Sequence, residues 1–105
     1  MGYVVLFYDV VDDDVTRRAA VRQEHLRHAE AAVERGELVL GGAFSDPVDR
    51  ALRVFRASDR SVIEAFARSD PYVTNGLVTR WDVRSWTVMI GDAFRHDVDA
   101  ESGRS

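Results

Sequence analysis

The first strand-like segment constrains what this chain can fold into more than any other. Residues 2–10 are rich in Val, Tyr and Phe, the composition of a β-strand. Successive side chains of a strand point to opposite faces of its sheet. Tyr3, Val5 and Phe7 therefore share one side, and Val4, Leu6, Tyr8 and Val10 share the other. Both sides are apolar. A strand with one wet face alternates with polar residues, and this one does not. The sheet it joins must be covered on both faces, yet a chain of 105 residues has room for one core.

Asp12, Asp13 and Asp14 supply N-cap candidates and favourable negative charge for a helix beginning near Val15. Metal binding by this acidic run is the weaker reading. Val15, Ala19, Arg22, Leu26, Ala29 and Val33 recur at steps of three and four, the expected inward stripe of one helix. Arg35 stands in its last turn, and Gly36 is the expected C-cap glycine. Leu38 to Phe44 reads as a second strand, where Gly41-Gly42 predicts a bulge or a close backbone approach. A turn over 45–49 leads into a third strand, Ala51 to Ala57. Ser58 or Asp59 caps a second helix that runs to about Ser69, with Ile63, Phe66 and Ala67 inward, and Asp70-Pro71 stops it. Asn75-Gly76 marks a turn before a long strand from Val78 to Val88, on which Trp81 and Trp86 fall on opposite faces.

The order βαββαβ predicts an α+β fold, the ferredoxin-like antiparallel sheet with two helices on one face. Two helices cover one face only. The other, apolar along the first strand, is an expected protein interface. Two such sheets packed face to face would bury each other, so the expectation is a homodimer formed through the sheet face. The domain is expected over residues 1–90, followed by a polar C-terminal tail over 91–105.

Composition removes several function classes. The absence of cysteine excludes thiol nucleophiles, thiolate metal sites, iron–sulfur clusters and disulfides. All 14 basic residues are Arg, which excludes a Schiff-base lysine and a P-loop lysine. They are scattered among 18 acidic residues at a net charge of −4, without a basic stripe, so no nucleic acid partner is expected. The apolar amino-terminal run lacks a preceding basic segment and is far shorter than the roughly 20 residues that span a bilayer. A cytoplasmic protein with no membrane partner is expected. None of the seven serines stands in a G-x-S-x-G elbow, and Gly41-Gly42 lacks the pattern of a nucleotide loop. Nothing in the sequence calls for a cofactor.

Three histidines remain. His96 sits in the polar tail and reads as a solvated residue. His28 follows His25 by one helical step, but no third ligand stands at helical spacing, so no metal site is expected. Taken alone, His25 reads as a boundary residue satisfied by a backbone carbonyl, and Asp70 as a turn former. The fold changes that balance. Helices side by side on one sheet bring an inward-leaning His25 toward an Asp at the end of the second helix. A carboxylate beside an imidazole fixes its tautomer and stabilises its protonated form, which makes a general acid or base. Tyr72 could add a hydroxyl donor, and Arg22, one turn before His25, could hold an anionic group of a small-molecule substrate. Packing and solvated surface compete as readings of those two residues.

Two stretches carry a family likeness. Arg22-Gln23-Glu24-His25-Leu26 with Gly36-Glu37-Leu38 and Gly41-Gly42, and then Phe66-Ala67-Arg68-Ser69-Asp70-Pro71-Tyr72 with Asn75-Gly76-Leu77-Val78 and Val83 to Trp86, resemble YciI-like proteins. The likeness covers roughly residues 3–88. It implies a ferredoxin-like fold that dimerises as an α+β barrel, with a site centred on a histidine and an aspartate at the matching positions His25 and Asp70. It also implies acid–base chemistry of lyase or isomerase type on a small organic acid, lactone or ring. One relative group removes chloride from a chlorinated hydroxyquinol, and muconolactone isomerase shares the general barrel. A non-catalytic module that binds a small ligand is the alternative. The chain departs from the family at Gly42-Ala43, where many relatives carry Gly-Pro.

Overall fold

The computed structural model describes residues 2–11 and 14–91. Asp12, Asp13 and the tail from residue 92 onward, His96 included, lie outside the described residues. Strands β1 (Gly2–Val10), β2 (Leu38–Ala43), β3 (Arg50–Ala57) and β4 (Val78–Trp86) form one antiparallel sheet in the order β2-β3-β1-β4. The two-faced strand is thus an inner one, paired on both sides, with Leu6 opposite Arg53 of β3 and Val83 of β4. Helices α1 (Asp14–Arg17), α2 (Arg22–Glu34), α3 (Arg60–Ser69) and α4 (Pro71–Thr74) complete the chain, with a 3-10 turn over Arg18–Ala20.

One core holds the layers together. Val4, Leu6 and Tyr8 of β1, Ala51, Phe55 and Ala57 of β3 and Val83 of β4 face Ala32 of α2 and Ile63, Phe66 and Ala67 of α3. Phe55 and Phe66 meet edge to face, ring centres 5.0 Å apart, the geometry that aligns a positive ring edge with a negative face. Asp59 is the residue that caps α3, accepting the Ser61 amide at 2.9 Å. Gly36 (φ +77°) and Gly76 (φ +77°) end α2 and α4 in the left-handed region, which costs a side-chain-bearing residue about 1–2 kcal/mol.

Four expectations need correcting. The first helix is not continuous from Val15: the chain breaks at Val21 (φ −116°, ψ 3°), and α2 starts afresh at Arg22. Nor does the stripe of Leu26 and Val33 face the sheet. These two are 42 % and 54 % exposed, whereas His25 and Ala32 are buried. The helix is turned so that an imidazole rather than a leucine enters the interior, where the polar partners described below receive it. The irregularity in β2 falls between Leu38 and Leu40, not at the glycines. An extra residue in one strand of a pair flips the faces that follow it. Leu38 consequently lies in the core opposite Phe55, while Leu40 pairs with Val54 on the far side. Gly41 alone supplies the close approach instead, because a Cβ there would sit 3.2 Å from Cγ of Arg53, whereas one on Gly42 would meet open space. Finally, β4 ends at Trp86 rather than Val88, and Asp70-Pro71 both stops α3 and starts α4.

The far side of the sheet carries Tyr3, Val5 and Phe7 of β1, Leu52 and Val54 of β3, Leu40 of β2 and Trp86 of β4. Leu40 is 70 % exposed and Trp86 51 % exposed, and all the core helices lie on the opposite side. No helix among the described residues is long and apolar enough to cross a membrane.

Candidate functional site

The site forms where α2, the α3–α4 junction and the inner strands converge. Asp70 follows α3 in extended conformation, and as the N-cap of α4 its Oδ1 accepts the Tyr72 amide at 2.9 Å. A proline at the next position suits the first turn of a helix, where its missing N–H is no loss. The same Oδ1 lies 2.8 Å from Nδ1 of His25, and Oδ2 accepts the Tyr8 hydroxyl at 2.7 Å. Asp70 is fully buried, and its bonds to His25 and Tyr8 are made out of water. Burial by itself would raise its carboxyl, but the hydrogen bond and charge of His25, the Tyr8 hydroxyl and the Tyr72 amide outweigh it, and the group sits below the usual carboxylate range. Burial first, and then the Asp70 charge and hydrogen bond, push the Tyr8 phenol far above its ordinary value, against a smaller opposing effect of Arg53. Asp70 is therefore the anion and Tyr8 a neutral donor.

An ionised Asp70 is acceptor only, so His25 carries its hydrogen on Nδ1 and donates it. That leaves Nε2 as the acceptor, and it faces Nη2 of Arg53 at 2.9 Å. Arg53 is 94 % buried by difference from its 6 % exposure, and its guanidinium lies over the Tyr8 ring, 4.8 Å from the ring centre. Tyr72 stacks flat on the imidazole, with centroids 3.9 Å apart and planes 9° from parallel. Tyr8, Asp70, His25 and Arg53 thus form one chain of hydrogen bonds, and Tyr72 closes it from the side.

Two sequence candidates, His25 and Asp70, meet directly. Tyr72 is also at the pair, through its amide and its ring face. Arg22 lies exposed at the mouth of the cleft and does not bond to the pair. His28 plays a structural part: its Nε2 donates to the Phe66 carbonyl at 2.9 Å and its ring stacks on Phe66. No group of three metal-ligating side chains exists among the described residues. Arg53 and Tyr8 were missed. The signal for Arg53 was available, since period-2 alternation puts it on the same face as Ala51, Phe55 and Ala57. An arginine in an otherwise apolar inward row requires an internal partner.

The cleft in front of this chain has a volume of about 490 Å³. His25, Tyr72, Tyr8 and Arg53 form its polar end, and Leu26, Ala29, Val33 and Leu38 form an apolar wall. Gly41, Gly42 and Ala43 border it, so the departure from Gly-Pro falls on the cleft itself. A hollow of about 570 Å³ at the other end of the sheet offers less, because Asp59 there caps α3 and Arg60 donates to the Val83 carbonyl.

With this geometry in view, comparison with known proteins becomes informative. The model of the YCII-related domain family matches residues 1–87, and so most of the chain. The chain belongs to the YCII-related family. No curated protein matches this YCII-related chain. Solved structures do share its fold. A 5-chloro-2-hydroxyhydroquinone dehydrochlorinase from Burkholderia phenoliruptrix, in complex with 2,5-dihydroxybenzoquinone, is similar at a TM-score of 0.70 and 15 % identity, over 83 % of this chain and 95 % of that one. A NIPSNAP family protein of unknown function from Agrobacterium tumefaciens aligns at a TM-score of 0.60 and 16 % identity, over 88 % and 91 % of the two chains. A Deinococcus radiodurans protein named for antibiotic biosynthesis monooxygenase follows at 0.52 and 14 %, over 88 % and 96 %. At such identities the likeness establishes the ferredoxin-like α+β fold.

The ionised state of Asp70 gives a pH prediction for the YCII-related chain. Its folded carboxyl titrates below the unfolded value of about 3.9, so between the two the unfolded chain binds more protons. Stability from this group is then fully present above about pH 4 and lost as pH falls through the lower, folded value. Urea midpoints of the parent and of Asp70→Asn should differ by a constant amount from pH 7 down to about 5, and should converge below 4. A gap that stays constant to pH 2 would show that Asp70 is not held as an anion.

Proposed function

We propose that the chain is a small acid–base enzyme of lyase or isomerase type, acting on a hydroxylated ring, lactone or short organic acid held in the cleft. The 2.8 Å bond between His25 and the buried Asp70 supports this reading above all else. His25 moves the proton at Nε2, its one nitrogen not engaged by Asp70. Asp70 keeps the hydrogen on Nδ1, holds the ring plane and faces the positive charge that arises when Nε2 takes a proton. Tyr8 and the Tyr72 amide fix the carboxylate, and Tyr72 fixes the ring. No cofactor enters this scheme. The dehydrochlorinase of the same fold, crystallised with a dihydroxylated quinone, makes hydroxylated six-membered rings the first substrates to try.

The same reading includes a partner. We propose that the uncovered face of the sheet pairs with that of a second copy, which would bury the apolar side of β1.

The position of Arg53 favours a second reading, a module that binds a small ligand without transforming it, because its guanidinium already engages Nε2. One experiment separates the two. Purified protein is screened for turnover against chlorinated and unsubstituted hydroxyquinols, lactones and short acids, and the best substrate is then tested with His25→Ala. A general acid or base is worth about 10²–10⁴ in rate, and a loss of that size in a folded variant is the expected result. Turnover that survives the substitution unchanged would end the catalytic reading.

A further inference from the structure

The arginines of the cleft are out of keeping with the rest of the chain. The net charge of the protein is −4, yet the described lining of the cleft contains Arg18, Arg22, Arg50 and Arg53 and no carboxylate. Arg50 is committed to Asp9 at 2.8 Å. Arg53 is not fully committed. Its Nη2 serves His25, but its buried Nη1 has no hydrogen-bond partner. A buried charged donor without an acceptor is costly, and the residue that carries this one also lines the cleft.

We propose that the cleft is a receptor for a small organic monoanion, a carboxylate or phenolate on an apolar body, whose oxygen docks on Arg53. This rests on the site of the proposed function and adds what the site selects for. The planar fork of a guanidinium matches a carboxylate in two parallel hydrogen bonds. An oxygen at Nη1 satisfies the orphan donor, and a second oxygen competes with His25 Nε2 for Nη2. The ligand's own charge thereby loosens the one contact that occupies the imidazole, and Nε2 becomes available to the bound molecule and to nothing else. Leu26, Ala29, Val33 and Leu38 receive the apolar body. Gly41 packs against the Arg53 stem, where a Cβ would stand 3.2 Å from Cγ and a larger side chain would displace it.

The test uses the full chain with benzoate and hexanoate as probes and benzamide as the uncharged counterpart of benzoate. Binding is followed by calorimetry and by the ¹⁵N resonances of the His25 ring and the Arg53 side chain. Benzoate should bind at least tenfold more tightly than benzamide and move the Nε2 resonance. Arg53→Gln should weaken benzoate by about 10- to 100-fold, the range of a charge-assisted hydrogen bond, while Arg22→Gln at the mouth should cost about twofold. If Arg53→Gln does not fold, Gly41→Val serves in its place, displacing the guanidinium without removing a charge, with a loss of at least tenfold expected. Equal affinity for benzoate and benzamide, no binding of either acid, or full affinity in both Arg53→Gln and Gly41→Val would each overturn the proposal. Failure of the catalytic reading looks different: His25→Ala would retain turnover while benzoate still required Arg53.

Discussion

Asp70→Ala should destabilise the folded chain by about 3–5 kcal/mol, as much as truncating a buried core aromatic. The reason is the number of groups that depend on one carboxylate. Its removal leaves the buried Tyr8 hydroxyl and His25 Nδ1–H, and the half-buried Tyr72 amide, without their acceptor. Each buried donor left unpaired costs about 1–3 kcal/mol, and loss of a helix cap adds about 1. Some relaxation and water entry will offset part of the sum, which places the net in the range known for broken buried ion pairs. In thermal unfolding each kcal/mol is about 4–8 °C for a domain of this size, so the midpoint should drop by well over 10 °C. Asp70→Asn retains one carbonyl oxygen and should lose about half as much. If Asp70→Ala melts within a few degrees of the parent, the network is not holding the α3–α4 junction.

Val54→Asp should abolish the proposed pairing of two uncovered sheet faces and leave a monomer. Val54 lies midway across the uncovered face, opposite Val5 of β1 and Leu40 of β2. A two-fold axis presents every substitution twice. Burying an unpaired carboxylate costs at least about 2 kcal/mol per copy, or about 4 kcal/mol per dimer, a weakening of roughly 10³-fold. The monomer itself should stay folded, because this face of the sheet is not part of its core. Light scattering across a dilution series reads the result, with Glu30→Lys on the exposed surface of α2 as the control that changes nothing. A parent protein that runs as a monomer at high micromolar concentration would remove the interface.

Much of this was legible along the chain, for reasons that differ by element. The two apolar faces of Tyr3 to Val10 required a sheet covered on both sides, Gly36 marked a helix end, and Ser58 or Asp59 marked a helix start. The approach of His25 to Asp70 followed from topology alone, because two helices on one face leave few places for their ends to go. Other features had no local signal. The break at Val21 carries neither proline nor glycine, and it is set by packing rather than propensity. The rotation of α2 defied the hydrophobic stripe because burying His25 brings two hydrogen bonds, to Asp70 and Arg53, that Leu26 could not make. The slip at Val39 likewise depends on β3, whose Phe55 and Val54 want leucines on opposite sides. Arg53 and Tyr8 are visible in the alternation as inward residues, but the spacing along their strands does not show that they meet a histidine on α2 and a carboxylate after α3.

The double duty of Asp70 has a bearing on how relatives of this chain should be read. A relative without the proposed reaction would still need that carboxylate to end one helix and begin the next, so its presence says little about activity. His25 and Arg53 cap no helix; their burden is the packing of α2, which is turned to bury the imidazole against Asp70 and Arg53. Among homologues, therefore, the imidazole and the guanidinium together are the marker to sort by, and the aspartate is the marker to discount.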